Sequence, residues 1–433
     1  MYWLDWSVNR GLKKVGDEFA LEFIFDLVSD GYRLTDTRHT KLLQAVHCLF
    51  LNVSMFTHNG VLNVTMNKND YSRELIYNGR KVKRKVSYTY TMMLFDWLQK
   101  KGYATLTTGF VSRYKEENGR LVVCECESSR LVFSDGFMAR YKNVIKDKSD
   151  IPPIENVLRM RNKDKEFVTF KMGEYEKWVC KLLKSINKGT KQFNIQCGEK
   201  MFDVQFAKVY NENSLSKGGR TYVIGGGSEV LHIEHRKGLI VDNEDTVELD
   251  FKSLHPRLIA TMYEWNIPVD HDPYEISLYG YHPQVLRKIC KLLILCMFNA
   301  NSSGSAIAAV NNELNETFHV DENGNEVPIR KYWTDNGLAP KHLELKYIGE
   351  LLLEHNPYVK EAAYTGCGLD LQNLDSRIMD IVLAYFHEKG EFCLPVHDSV
   401  VVRKSLQNDA ERVMREAFEQ VMGNADNCVI EIK

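Results

Sequence analysis

Two aspartates stand in apolar, strand-like runs. Asp250 lies in Val247-Glu248-Leu249-Asp250-Phe251-Lys252-Ser253-Leu254-His255-Pro256, and Asp398 in Leu394-Pro395-Val396-His397-Asp398-Ser399-Val400-Val401-Val402. A carboxylate in such a setting is costly unless it is paired or coordinates a cation. Between them, Arg287 and Lys291 lie four residues apart, one turn on a common helical face. Carboxylates that can hold divalent metals, with cations that can hold a triphosphate, are the minimum equipment for nucleotidyl transfer.

The elements that must present these groups are legible nearby. Residues 246–251 alternate as a strand, so Glu248 points to the same face as Asp250 and is a candidate third carboxylate. Ser253-Leu254-His255-Pro256 ends that strand, and residues 257–265 read as a helix. Residues 391–396 and 400–403 read as the arms of a hairpin with His397-Asp398-Ser399 at its turn; the β-branched run 400–402 favours a buried sheet. If the two strands are neighbours, Asp250 and Asp398 can share two Mg²⁺ ions, with Mn²⁺ as a substitute. Leu295 and Asn299 continue the face of Arg287 and Lys291. The blander account of that segment is a buried helix with basic residues at its exposed start.

The order of these blocks resembles DNA polymerase family A and its relatives, the single-subunit phage-type RNA polymerases. Gly218-Gly219-Arg220, followed by Arg236, is similar to the Thr-Gly-Arg block and its following arginine; residues 250–255 resemble motif A, Arg287-x3-Lys291 motif B, and His397-Asp398-Ser399 motif C. Gln372 heads a helical stretch, residues 376–388, similar to the glutamine helix before motif C. The resemblance covers roughly residues 200–425. It implies an α+β right-hand fold of palm, fingers and thumb. It makes Asp250 and Asp398 the metal ligands and catalytic groups, and Arg287 and Lys291 the triphosphate contacts. Arg220 and Gln372 would touch the primer–template minor groove, with Arg236 also facing nucleic acid, and His397 would support the primer terminus. The partners implied are a DNA primer–template and deoxynucleoside triphosphates.

Departures from the family pattern matter. Its aromatic four residues after the motif B lysine is Leu295 here, its tyrosine eight after is Asn299, and the following glycine is Ala300, which changes the wall that stacks the base and checks the sugar. Ser399 follows the motif C aspartate, as in the RNA enzymes. Five residues after Asp250, however, stands the bulky His255, where RNA-making relatives place glycine. Sterics in a packed pocket then favour dNTPs. No acidic constellation for a proofreading exonuclease is evident in the first 200 residues. Two other readings compete. One keeps the fold but makes an RNA polymerase, primase or template-independent nucleotidyltransferase; the other is a non-enzymatic winged-helix DNA-binding protein whose aspartates are structural.

The rest of the chain suggests support. Residues 38–56 and 88–101 read as helices, with Gly102 stopping the second; residues 103–114 and 121–126 read as strands joined through Glu116-Glu117-Asn118-Gly119. Helices followed by a two-stranded wing resemble a winged-helix domain, with Arg80 to Lys85 placed for phosphate contact; a small α/β domain with a solvated basic loop is the alternative. Ile151-Pro152-Pro153 reads as a linker. The expected units are therefore residues 1–150, a lysine-rich helical thumb-like region 151–215, and a palm and fingers core 216–433. In the helix around residues 178–186, Trp178, Val179, Leu182, Leu183 and Ile186 form the apolar stripe. Asp272-Pro273-Tyr274 reads as a helix start.

With 56 Lys+Arg against 58 Asp+Glu, the chain is not basic overall; this disfavours a simple nucleic-acid coat but not an enzyme with a local basic cleft. The ten cysteines lack paired zinc spacing and suit a reducing compartment. Residues 1–6 carry no secretory pattern, and the longest apolar run, residues 292–298, is too short for a bilayer. The expectation is a cytoplasmic protein.

Overall fold

The computed structural model describes residues 10–56, 60–72, 75–82, 86–109, 113–117, 120–125, 128–141, 154–224 and 230–433. The amino-terminal segment 1–6, the linker around Pro152-Pro153, residues 83–85 of the basic stretch and the Asn118-Gly119 turn lie outside them. The fold is α+β, and its described buried apolar residues form two clusters, one from Phe19 to Tyr141 and one from Val157 to Cys428.

In the first cluster, helices Arg10–Ser29, Asp36–Phe56 and Tyr88–Lys100 pack with a three-stranded antiparallel sheet ordered Val61–Val64, Ser129–Phe133, Ala104–Thr107. Phe19 is the hub: Phe50, Trp97 and Tyr141 set ring edges on it at 5.1, 5.2 and 5.6 Å. The expected strand 103–114 is broken into two, Ala104–Thr107 and Arg113–Glu117; the second pairs with Arg120–Glu125, the first with Ser129–Phe133. The polar stretch opening at Asn78 hides a further hairpin, Leu75–Tyr77 with Arg80–Val82. Asn78 and Gly79 both have positive φ (45° and 79°), the requirement of a type I′ turn. This turn joins the two units. The Asn78 N–H donates to Asn156 Oδ1 (2.8 Å), its Oδ1 accepts from Leu158 N (3.0 Å), and Gly79 O accepts from Phe170 N (3.0 Å).

The second cluster is built on an antiparallel sheet ordered Lys200–Met201, Ile195–Cys197, Ile240–Val241, Glu244–Phe251, Ser399–Arg403, Leu394–Val396; Ile430–Ile432 also pairs with Glu244–Phe251. A smaller sheet of Ser214–Ile224, Gln205–Asn211 and Leu158–Met160 packs under the long helix Gly368–Glu388. Helices Leu254–Met262, Pro283–Asn299, Ser303–Glu316 and Leu345–His355 complete the body.

The segment 155–215 is not helical throughout: its one described α-helix is Glu174–Gly189, and the remainder is mostly strand and turn. Residues 205–210 are buried on both faces, so the alternation that marks a half-exposed strand is missing there. A boundary at 215 would cut the hairpin of Gln205–Asn211 with Ser214–Ile224. Trp178 is also not part of the apolar stripe, being 42% exposed while Val179, Leu182, Leu183 and Ile186 are buried. Residues 272–274 form a turn in which Asp272 Oδ1 accepts from Tyr274 N (3.0 Å), and the next helix begins only at Pro283.

Candidate active site

The strand Glu244–Phe251 lies beside Ser399–Arg403 with Asp250 directly opposite Ser399. Val396 pairs with Ser399, so His397 and Asp398 form a two-residue hairpin turn. Phe251 N donates to Asp398 O at 3.4 Å, tying the turn to the end of the Asp250 strand. The two aspartates, far apart in the chain, thus converge at adjoining strand ends. Burial first, and then the Asp398 charge, push the Asp250 carboxyl up from 3.8 to about 6. Asp250 Oδ1 is buried and has no hydrogen-bond partner among the described residues, while Oδ2 takes the Lys433 ammonium at 2.5 Å.

Glu248 shares this face as expected, but its oxygens are engaged. Oε1 accepts from the Ser399 hydroxyl (2.8 Å), and Oε2 meets Arg236 Nε at 2.8 Å. Arg236 also donates to Leu231 O and is largely buried. The pair therefore braces the end of the Asp250 strand, with both groups engaged on each other in this structure.

Opposite the aspartates, the strand Ser214–Ile224 presents Arg220. Tyr210 pairs with Gly218 and Val209 with Arg220, so Gly219 is an extra residue, a bulge. Its φ of +87°, after +67° at Gly218, needs glycine. The bulge delivers Arg220 to Asp375, with Nε at 3.0 Å and Nη2 at 2.5 Å from Oδ2. His255 Nε2 reaches the same oxygen at 2.9 Å. Two residues beyond Arg220, Tyr222 sets its ring edge 6.2 Å from the His397 ring. Desolvation by the surrounding protein, then the Arg220 charge, lower the His397 pKa, although the residue keeps an exposed edge. Gln372 lies one turn before Asp375 on the long helix, half-buried.

The cationic helix Pro283–Asn299 buries Val285, Leu286, Ile289, Cys290, Leu293, Ile294, Met297 and Phe298 and leaves Arg287, Lys291, Leu295 and Asn299 on an exposed stripe. Arg287 Nε donates to Asp272 Oδ2 (2.7 Å), and its guanidinium lies 5.5 Å over the Tyr274 ring. The charges of both Asp398 and Arg287 act on Tyr274, so the helix start and Asp398 lie near one tyrosine; burial pushes its hydroxyl up to about 12. Arg257, fully buried, fixes this approach by donating to the carbonyls of Pro268, Val269 and His271. Lys291 has no ion-pair or hydrogen-bond partner among the described residues. Asn299 packs against Gly368, where a Cβ would fall 2.2 Å from its Oδ1.

No family model matches the chain, and no curated protein matches it. Among solved structures, it is similar to the POL domain of Pol1 from M. smegmatis, solved in complex with DNA primer-template and dNTP, at 11% sequence identity and a TM-score of 0.28. That match covers 60% of this chain and 51% of the other, so it spans about half of the relative's length.

No group of three or more His, Cys, Asp or Glu side chains suited to a metal occurs among the described residues. Mg²⁺ does not need one: it is commonly held by one or two carboxylates, with waters and substrate phosphates completing its shell. The buried, unpartnered Asp250 Oδ1 beside the Asp398 charge fits that demand. The sequence pointed to the aspartates, the cationic stripe and Arg220. It missed Asp375, Tyr222, Tyr274 and Lys433. Asp375 had a signal: it lies three residues after Gln372, on the same helical face. No helix among the described residues is long and apolar enough to cross a membrane.

Proposed function

We propose that this chain is a template-directed nucleotidyltransferase, a DNA polymerase without a proofreading exonuclease, acting on a primer–template and dNTPs. The observation that carries the reading is the convergence of Asp250 and Asp398 at adjoining strand ends, with one carboxylate oxygen buried and unpartnered. In this reading, residues 216–433 with the preceding strands supply palm and fingers. The unit 10–141, in which helices Arg10–Ser29, Asp36–Phe56 and Tyr88–Lys100 pack on a three-stranded sheet, is a winged-helix-like DNA-binding module.

Asp250 and Asp398 would hold two Mg²⁺ ions. When bound, such ions acidify an attacking 3′-hydroxyl and stabilise a leaving pyrophosphate. Lys291 has a free ammonium on the exposed face of its helix and meets the triphosphate. Arg287 shares its charge with Asp272 and sets the approach. His255, anchored on Asp375, would be the bulky group that collides with a ribose 2′-hydroxyl. Glu248 orients Ser399 and Arg236 behind the turn.

The test combines purified protein and Mg²⁺ with a primed template, an unprimed strand or no template, each with dNTPs or rNTPs. Primer extension by dNTPs that Asp250→Asn and Asp398→Ala abolish is the expected result. Retained extension in both variants would falsify the assignment, and extension without template would move the reading to a terminal transferase.

A further inference from the structure

Resting on the polymerase reading, we propose that Asp375 is the positioning residue of this site, a buried clip that sets the His255 tautomer and couples sugar selection to the Arg220 grip on the primer–template. Three elements meet at its carboxylate: the long helix carries Asp375, the bulged strand brings Arg220, and the helix start after Ser253 brings His255. Asp375 has no exposed surface, and a carboxylate buried so deeply needs partners to offset its desolvation. Arg220 does so from two nitrogens, Nε at 3.0 Å and Nη2 at 2.5 Å, and His255 Nε2 adds a third contact at 2.9 Å, all on Oδ2.

A carboxylate only accepts, so His255 Nε2 must donate. The other ring nitrogen, Nδ1, has no hydrogen-bond partner among the described residues. The clip therefore fixes ring orientation and leaves Nδ1 as the ring nitrogen open to a substrate contact. Arg220 Nη2 lies 3.4 Å from the same imidazole nitrogen, so Arg220 and His255 shift together when Asp375 changes. A sugar-selecting wall works only when held still, and a displacement of about 1 Å costs up to a hundredfold in rate.

The experiment compares wild type, Asp375→Asn, His255→Gly and the double variant in single-nucleotide insertion of dNTP and rNTP on one primer–template. Asp375→Asn keeps shape but offers an amide in place of one acceptor oxygen. The expected result is a drop in dNTP-over-rNTP discrimination of roughly ten- to a hundredfold, with Asp375→Glu restoring part of it. In the His255→Gly background, Asp375→Asn should add nothing to the discrimination, although it still weakens primer–template binding through Arg220. A purely structural aspartate would lower all rates alike and leave the ratio unchanged, which overturns the inference.

A second measurement needs no variant of Asp375. Long-range nitrogen–proton NMR of histidine-labelled wild type, with the His255 signal assigned through His255→Gln, should show the proton on Nε2. A proton on Nδ1 overturns the clip, even where Asp375→Asn fails to fold. If the wild type incorporates no nucleotide, the polymerase reading has failed and sugar selection falls with it. If it polymerises and Asp375→Asn keeps its discrimination, only the present inference has failed.

Discussion

Replacing Asp250 by asparagine should make the protein more stable at neutral pH while removing activity. The folded chain raises this carboxyl from 3.8 to about 6, first by burial and then by the Asp398 charge. A tenfold change in acidity is worth about 1.4 kcal/mol, so holding Asp250 ionised costs the folded state about 3 kcal/mol. That cost is already net of the Lys433 ammonium, which holds the carboxyl down. Asp250→Asn should therefore gain up to about 3 kcal/mol above pH 7. The sign follows from proton binding. Between pH 4 and 6 the folded state holds a proton that the unfolded chain has released, so this contribution favours folding at low pH and is lost as pH rises through 6. Urea denaturation at pH 4.5 and pH 7.5 reads the effect: the variant should gain at pH 7.5 and little at pH 4.5. Mg²⁺ should then stabilise the wild type by about 2.7 kcal/mol at a hundredfold excess over its dissociation constant and leave Asp250→Asn unmoved. A variant that is less stable than wild type at pH 7.5, or that responds equally to Mg²⁺, would refute the account of Asp250 as a strained metal ligand.

Lys291→Ala should leave the urea midpoint within about 0.5 kcal/mol of wild type, as for other unpartnered surface groups, yet raise the KM for dNTP about tenfold, the loss of one charge-assisted phosphate contact; an unchanged KM in steady-state insertion would remove Lys291 from the triphosphate site. His255→Gly should increase ribonucleotide use, and equal rNTP and dNTP rates before and after the change would defeat the steric argument. Lys208→Met should destabilise by about 3–5 kcal/mol, because it strands Asp380, whose remaining described hydrogen bond comes from the Tyr175 hydroxyl at 2.6 Å. Adding Asp380→Asn should recover part of that loss in the same urea assay, and an additive double variant would show that the two do not act as a pair.

The sequence showed best what local rules control. The strand around Asp250, the hairpin at His397-Asp398 and the exposed stripe through Arg287 and Lys291 each follow from periodicity over fewer than twenty residues. What it hid depends on distant partners. Asp375 reads as an ordinary polar position in a helix until Arg220 and His255, over a hundred residues away, close on it. Glu248 gives no sign in the sequence of its contacts with Arg236 and Ser399. Residues 205–210 carried no strand signature because both faces are covered, and Lys208 in their midst is fully buried on Asp380. Asn78-Gly79 was the plainest turn signal in its region, but the basic residues beside it suggested a solvated loop.

Three local costs coincide around the two aspartates. Ser253 takes φ 52° and ψ 47° at the reversal from strand to helix, three residues past Asp250. His397 takes φ 60° at the first position of a two-residue hairpin, where glycine is the usual occupant. Such left-handed positions cost a non-glycine residue on the order of 1–2 kcal/mol each. Asp250 itself is ionised against its burial, with one oxygen unpartnered. A sequence selected only for stability would have asparagine or glycine at these positions, and each exchange is sterically modest. Their concentration within a few residues of both carboxylates is hard to explain by packing, since the neighbouring strand residues Leu249, Val400, Val401 and Val402 are fully buried and apolar. On the proposed reading, it is what a site needs when it must hold two negative charges together until a cation arrives.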